Sequence, residues 1–324
     1  MVLAFLLLWE SLHPFFELFD ASPRERLKHG GRNMLVAVIN ALLVSFIFVG
    51  LWAWAAGYSS KHQLGLLHQF ALDPWVRLAL VILLLDGWTY LWHWMNHRLP
   101  VLWRFHRMHH ADTQMDVTTA GRFHLGEIIF SSLLRLPIIL LLGVQLHELV
   151  VYEVMMFAVV QFHHANIGLP EKWDRLLRLV IVTPAMHKVH HSNQQLETDS
   201  NYTSLFSWWD RIFGTFRLRR DPHTIQFGLD QTPAKDVQSM RAMMKTPFAE
   251  LPGTSRGVSV KWVWFSFIAA LLATAGCVMM LRDTTMTWDK TYQMIERDFP
   301  GVPVITNTEL AQWLADADRK PPLL

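Results

Sequence analysis

Ten of the 17 histidines fall into two short windows: His93, His97, His106, His109 and His110 in the first, and His163, His164, His187, His190 and His191 in the second. The first window reads H-x3-H and then H-x2-H-H, and the second ends in another H-x2-H-H. On a helix, positions i, i+3 and i+4 share one face, so this spacing aims two or three imidazoles at one point. Crowded imidazoles that stay uncharged near neutral pH gain little unless a cation binds them, and all ten are read as metal ligands. His13, His29, His62, His68, His147 and His223 are read instead as partly exposed polar residues. The single cysteine, Cys277, excludes a disulfide or thiolate site within the chain, so the ligands are nitrogen or oxygen. Imidazole suits zinc, copper, iron and nickel alike. A structural zinc takes four ligands and a catalytic one three, so ten clustered histidines exceed one site and point to two adjacent ions.

The elements that hold these residues are membrane helices. Hydrophobic residues make up 52% and charged ones 17% of the 324, with 15 Trp and 20 Phe; a soluble domain carries about 25% charged residues. Leu35 to Ala56 and Trp262 to Leu281 are the cleanest spans, and Val76 to Trp92 is a shorter one carrying Asp86. Ile128 to Leu142 and Leu149 to Phe162 flank His147 and Glu148 and read as a helical hairpin. Val2 to Phe19, interrupted by Glu10, His13 and Pro14, reads as an interfacial or poorly spanning helix. It lacks the charged start and small-residue cleavage site of a signal peptide. Arg24, Arg26, Lys28 and Arg32 precede the first span, and the loop after it holds only Lys61, which places residues 21–33 in the cytoplasm. Both histidine windows then lie on the cytoplasmic side. The expected fold is an all-α integral membrane bundle of about four to five transmembrane helices with a His-rich cytosolic helical cap. The net charge of +2 marks no partner class, and no nucleic-acid partner is expected.

Four regions follow: residues 1–33, an N-terminal helix and basic loop; 34–251, the membrane metal domain; 252–288, a linker and C-terminal transmembrane helix; and 289–324, a short tail. Arg98 to Leu125 and Gly168 to Leu251 are polar and expected to pack together as the cap, with Leu205 to Phe216 against the lipid interface or beneath it. In the tail, Val302 to Asp318 resembles the opening strand and helix of a rhodanese-like domain cut off before its next strand, so no sulfur-transferase activity is expected.

A set of ordered motifs runs from about Asp86 to Phe216. Asp86 precedes His93-x3-His97 and Leu102-Trp-Arg-Phe-His106-x2-His109-His110; Thr118-Thr-x-x-Arg122-Phe-His124-x2-Glu127 and His163-His164-Ala-Asn166 follow; Thr183-Pro-x-x-His187-x2-His190-His191-Ser192 and Asp199-Ser-Asn201-Tyr202 close the series with Trp209-Asp210-Arg-Ile-Phe-Gly214-Thr. This succession resembles the fatty acid hydroxylase, or sterol desaturase, superfamily. The resemblance implies a membrane enzyme with two iron ions that uses O2 and externally supplied electrons to hydroxylate or desaturate a lipid, zinc being a substitute taken up on purification. It implies His93, His97, His106, His109, His110, His187, His190 and His191 as ligands. Some relatives carry H-x3-H where this chain has the adjacent pair, of which His164 is favoured and His163 comes next. His124 is either a ligand or a group supporting one. Asp86, Asp112, Asp116, Glu127, Asn166, Asn193 and Asp199 are the candidates to hold the second ring nitrogens of the ligands. The electron donor is expected to be a separate ferredoxin or cytochrome b5-like carrier with its reductase, docking on Arg175, Arg178, Lys188, Arg211, Arg217, Arg219 and Arg220. On the histidines alone, a haem-binding electron-transfer protein and a metal transporter are the alternatives.

Overall fold

A computed structural model describes residues 1–19, 22–232 and 237–250, with Gln293, Arg297 and Pro300 beyond them. The expected span at Trp262 to Leu281 and the rhodanese-like stretch lie outside the described residues, as do the linker and nearly all of the tail. Every helix or strand assignment among the described residues is helical except two isolated β-bridges, Ile181 with Phe206 and Ser192 with Phe227. Four candidate spans, Pro23–Gln69, Pro74–Arg98, Leu125–Leu142 and Leu146–His164, are long and apolar enough to cross a bilayer. The chain is therefore an integral membrane protein built on a helical bundle. The opening helix α1 (Val2–Leu12) has 11 residues, too few to span.

The first span starts earlier than hydropathy predicts. Ser22 accepts a hydrogen bond from the Glu25 N–H and Pro23 occupies the first turn, so α2 (Pro23–Leu43) begins there. A π-helical turn, Val44–Phe48, joins it to α3 (Val49–Lys61). These 39 residues measure about 58 Å of helix, roughly twice the thickness of a hydrocarbon core. The excess carries buried His29 and Asn33 and forms part of the cap.

Asp73 caps α4 (Pro74–Arg98) by accepting from the N–H groups of Trp75 and Val76. Pro100 ends it: Leu99 is extended, as a residue before proline prefers, and α5 (Pro100–His110) starts at once. The bend brings the C-terminal face of α4 onto α5. The predicted hairpin is present as α6 (Leu125–Leu142) and α7 (Leu146–His164), with Gly143 left-handed at φ 77° in the turn. At that end of the bundle Arg77 binds Glu148 at 2.7 Å and donates to the carbonyls of Leu67 and Gly143, fastening α4 to the turn. α4 and α7 run in parallel and carry histidines at their opposite, C-terminal ends.

The cap adds α8 (Glu171–Leu177), α9 (Pro184–His190), α10 (Gln195–Thr198), α11 (Trp208–Ile212) and α12 (Met240–Lys245) to α5. The segment before and through α11 packs on the middle of α4. Asp86, fully buried, accepts from the backbone N–H of Leu205 and Phe206 and from the Trp209 indole. Irregular backbone at membrane depth needs such partners, because lipid supplies none. A Cβ at position 87 would lie 2.9 Å from the Trp209 ring, so glycine is what admits the indole there.

Candidate metal centre

Nine of the ten window histidines converge into two groups. The first holds His93 and His97 from α4, His106 and His110 from α5, and His190 from α9; the second holds His109, His164, His187 and His191. Within each group the donor atoms lie within 4.8 Å of one another. The two H-x2-H-H motifs are dealt out crosswise. On α5 the i, i+4 pair His106 and His110 serves the first group and His109 the second; on α9, His187 and His191 serve the second and His190 the first.

Hydrogen bonds fix several tautomers. The Nδ1 atoms of His93, His164 and His190 lie 2.6, 2.7 and 2.6 Å from the carbonyl oxygens of Tyr202, Val160 and Ser200. A carbonyl only accepts, so Nδ1 carries the proton and Nε2 offers a lone pair. Glu127 fixes His106 in the same way, at 2.9 Å from its Nδ1. Yet the Nε2 atoms face one another: His93 to His106 and to His190 at 3.1 Å, His106 to His110 at 3.2 Å, and His164 to His109 and to His187 at 3.1 Å. His93, His106 and His190 all carry the proton on Nδ1, so their facing Nε2 lone pairs repel unless a cation lies among them. A metal–nitrogen bond of about 2.1 Å puts two ligand nitrogens about 3.0 Å apart at a right angle and about 3.4 Å apart in a tetrahedron. The observed edges fall in that interval, so the donor set fits two nitrogen-bound cations. Protonation is not an alternative: burial first, then neighbouring imidazoles, hold His109, His110, His187 and His191 well below the ordinary histidine range, and burial holds His190 down to about 3.

The remaining sequence candidates separate. His163 belongs to neither group; its ring lies 3.9 Å from that of His187, and neither of its nitrogens has a hydrogen-bond partner among the described residues. His124 caps α6, its Nδ1 accepting from Gly126 N–H while Nε2 donates to the Met244 carbonyl, which leaves no lone pair for an ion. Of the proposed supporting groups, Glu127 meets His106, and Asp199 lies 3.4 Å from Nδ1 of His97. Asp86 instead anchors the 205–209 backbone, and Asn166 clasps the backbone of Phe16. Asn193 is engaged through its backbone N–H to Gln226. Asp112 and Asp116 bind His29, a histidine expected at the surface and found buried.

Sequence reasoning missed the carbonyl partners, since any residue type supplies a carbonyl. Asn201 sets two of them. It adopts φ 51°, donates to the carbonyls of Met186 and Arg217, and so holds Ser200 and Tyr202 on either side toward His190 and His93. Asparagine tolerates that left-handed conformation better than most residues, which is the signal the D-S-N-Y string offered. Asp210 secures the same loop by accepting from Tyr202 N–H, Thr203 and Thr215. Replacing Glu127 with glutamine is expected to weaken metal binding by the first group about 10- to 100-fold, because the amide presents a weaker acceptor to His106. Metal titration of stripped protein checks this, and unchanged affinity would remove Glu127 from the centre.

A family model described as fatty acid hydroxylase matches residues 78–215, from early α4 to the loop that pins His93. The ornithine lipid hydroxylase OlsE of Rhizobium tropici is 27% identical over 180 residues, 55% of this chain and 53% of the relative. The alkylglycerol monooxygenase of Homo sapiens is 28% identical over 154 residues, 46% of this chain and 32% of the relative. The cholesterol 25-hydroxylase of Homo sapiens is 25% identical over 187 residues, 55% of this chain and 64% of the relative. The match thus spans less than two thirds of each of these relatives. No solved structure matches the chain significantly. The matched segment, less than half of the chain, contains all nine converging histidines, and over it the chain is similar to the fatty acid hydroxylase family.

Proposed function

We propose that this protein is an O2-dependent lipid hydroxylase with a pair of iron ions. One observation carries the reading: both histidine groups stand at the end of a largely apolar cavity of about 490 Å³ that lies between the membrane helices and is lined by His93, His106, His109 and His164. A haem would need two facing histidines, and a transport path would place ligands near mid-membrane; nine imidazoles at one end of an apolar cavity match neither. Bound iron would supply the oxidising power for an unactivated C–H bond, which hydrolytic metals lack. In the net reaction one oxygen atom enters the C–H bond and the other leaves as water, with two electrons from a carrier protein and two protons from solvent. The chain's own part is to hold nine imidazole donors in place, seat the lipid and exclude water. Hydroxylation is preferred to desaturation because the matched relatives are named as hydroxylases and monooxygenases.

The cap lies on the cytoplasmic side in this reading, next to the basic start of α2. The docking face for a ferredoxin or cytochrome b5-like carrier is narrower than the sequence suggested. Lys188 is buried and donates to the carbonyls of Ala165 and Ile167, Arg178 pairs with Glu171 and Asp174, and Arg219 pairs with Glu197. Arg175, Arg211, Arg217 and Arg220 stay exposed. The test is metal analysis of purified protein followed by a lipid-product screen with a reducing carrier under ¹⁸O2. About two irons per chain, no haem absorbance and ¹⁸O in a lipid alcohol are expected, with slower carrier-driven turnover at low salt when Arg217 and Arg220 are reversed to glutamate. Haem, or failure to hold metal after iron reconstitution, would overturn the reading.

A further inference from the structure

The wall of the cavity remote from the histidines carries an ion pair. Arg135 on α6 and Glu153 on α7 face each other across the cavity lining, within two of the candidate membrane spans. The Arg135 guanidinium also stacks over the Trp52 ring of α3, 5.3 Å from its centroid. Charges at membrane depth are costly, and where they occur they mark functional sites. The Arg77 to Glu148 pair fastens helix ends and is tied to two backbone carbonyls. The Arg135 pair fastens no turn, and both of its residues line the cavity.

Helix geometry gives the distance from the metal centre. Arg135 lies eight residues beyond Glu127, about 12 Å along α6, and Glu153 lies eleven residues before His164, about 16 Å along α7. A molecule reaching from the histidines to the pair therefore has an apolar body of that length and a polar end. The pair is neutral overall and offers both donors and an acceptor. A carboxylate end would meet Glu153 and an ammonium end would meet Arg135, whereas a hydroxyl accepts from the guanidinium and donates to the carboxylate.

We infer that the Arg135–Glu153 pair is the recognition site for the hydroxyl of a neutral lipid alcohol, seated so that the opposite, apolar end of the molecule faces the histidines. This deepens the hydroxylase reading and rests on it for the chemistry, though not for the binding. The test is equilibrium binding of radiolabelled dodecan-1-ol and dodecanoate to the protein in nanodiscs at mildly alkaline pH, with empty nanodiscs subtracting partition into lipid. Wild type is expected to bind the alcohol about ten-fold more tightly than the carboxylate. R135M/E153L, which removes both charges together, is expected to abolish that preference with iron content unchanged, and R135Q/E153Q, which keeps donors and acceptors, to retain most of it. Equal binding of both probes by wild type, or an undiminished preference in R135M/E153L, would overturn the inference. If R135M/E153L does not fold, the wild-type preference and its survival in R135Q/E153Q decide. An alcohol preference in a protein that holds no iron and forms no ¹⁸O product would sink the hydroxylase reading and leave this site standing; iron and product without the preference would do the reverse.

Discussion

His190→Ala is expected to abolish turnover and to release about half of the bound metal, and His110→Ala is expected to do the same to the same ion. The two residues lie 80 positions apart in sequence, but they face each other in the first group, whereas His190 and its neighbour His191 serve different groups. The consequence is a pattern across double variants. Combining His190→Ala with His110→Ala should cost little more metal than either change alone, since both act on one ion. Combining His190→Ala with His191→Ala should release both. Metal content by mass spectrometry, on protein shown to be folded, reads this directly. If sequence neighbours behaved as one site and cross-helix partners as two, the crosswise assignment would be wrong.

The clustering of the histidines was legible in the sequence, and their division into two groups was not. H-x3-H and H-x2-H-H are local spacings on helices, and helical periodicity alone places their rings on shared faces. Which group each ring joins depends on how α4, α5, α7 and α9 cross, and that is set by distant features such as Pro100 ending α4 and the loop around Asn201. The adjacent pair His163 and His164 shows the same limit. The sequence ranked His164 first, and the structure brings its Nε2 to His109 and His187 while His163 remains outside both groups. Carboxylates were expected behind the imidazoles, but three rings are held by carbonyls, which no residue type announces. Hydropathy located all four described spans, yet it placed the start of the first at Leu35, because the polar turns from Pro23 are helical through capping and burial in the cap and carry no apolar signal.

Those polar turns lead to the largest expected loss of stability. Asp112 lies two residues beyond α5 and is fully buried. Its carboxylate binds Nε2 of His29 at 2.9 and 3.0 Å, accepts from Thr119 at 2.8 Å and from Gln114 N–H at 3.1 Å, and faces Arg122 at 3.9 Å. Arg122 in turn donates to the Met108 carbonyl within α5 and to Asn33 of α2. The cluster thus ties the extended start of α2 to the turn of α5 that presents His109 and His110. Asp112→Ala leaves His29, and behind it Arg122, buried without their counter-charge, a change expected to cost about 3–5 kcal/mol and to loosen metal in both groups, since His110 serves one and His109 the other. Thermal unfolding in detergent measures the loss. Because the cost comes from the orphaned partner more than from the missing bond, Asp112→Leu combined with His29→Leu should destabilise by clearly less than the sum of the two single changes. Strict additivity would show that His29 and Asp112 act independently, and α2 would then owe its position over the histidines to the apolar contacts of Val36 with Met108 and Met243 instead.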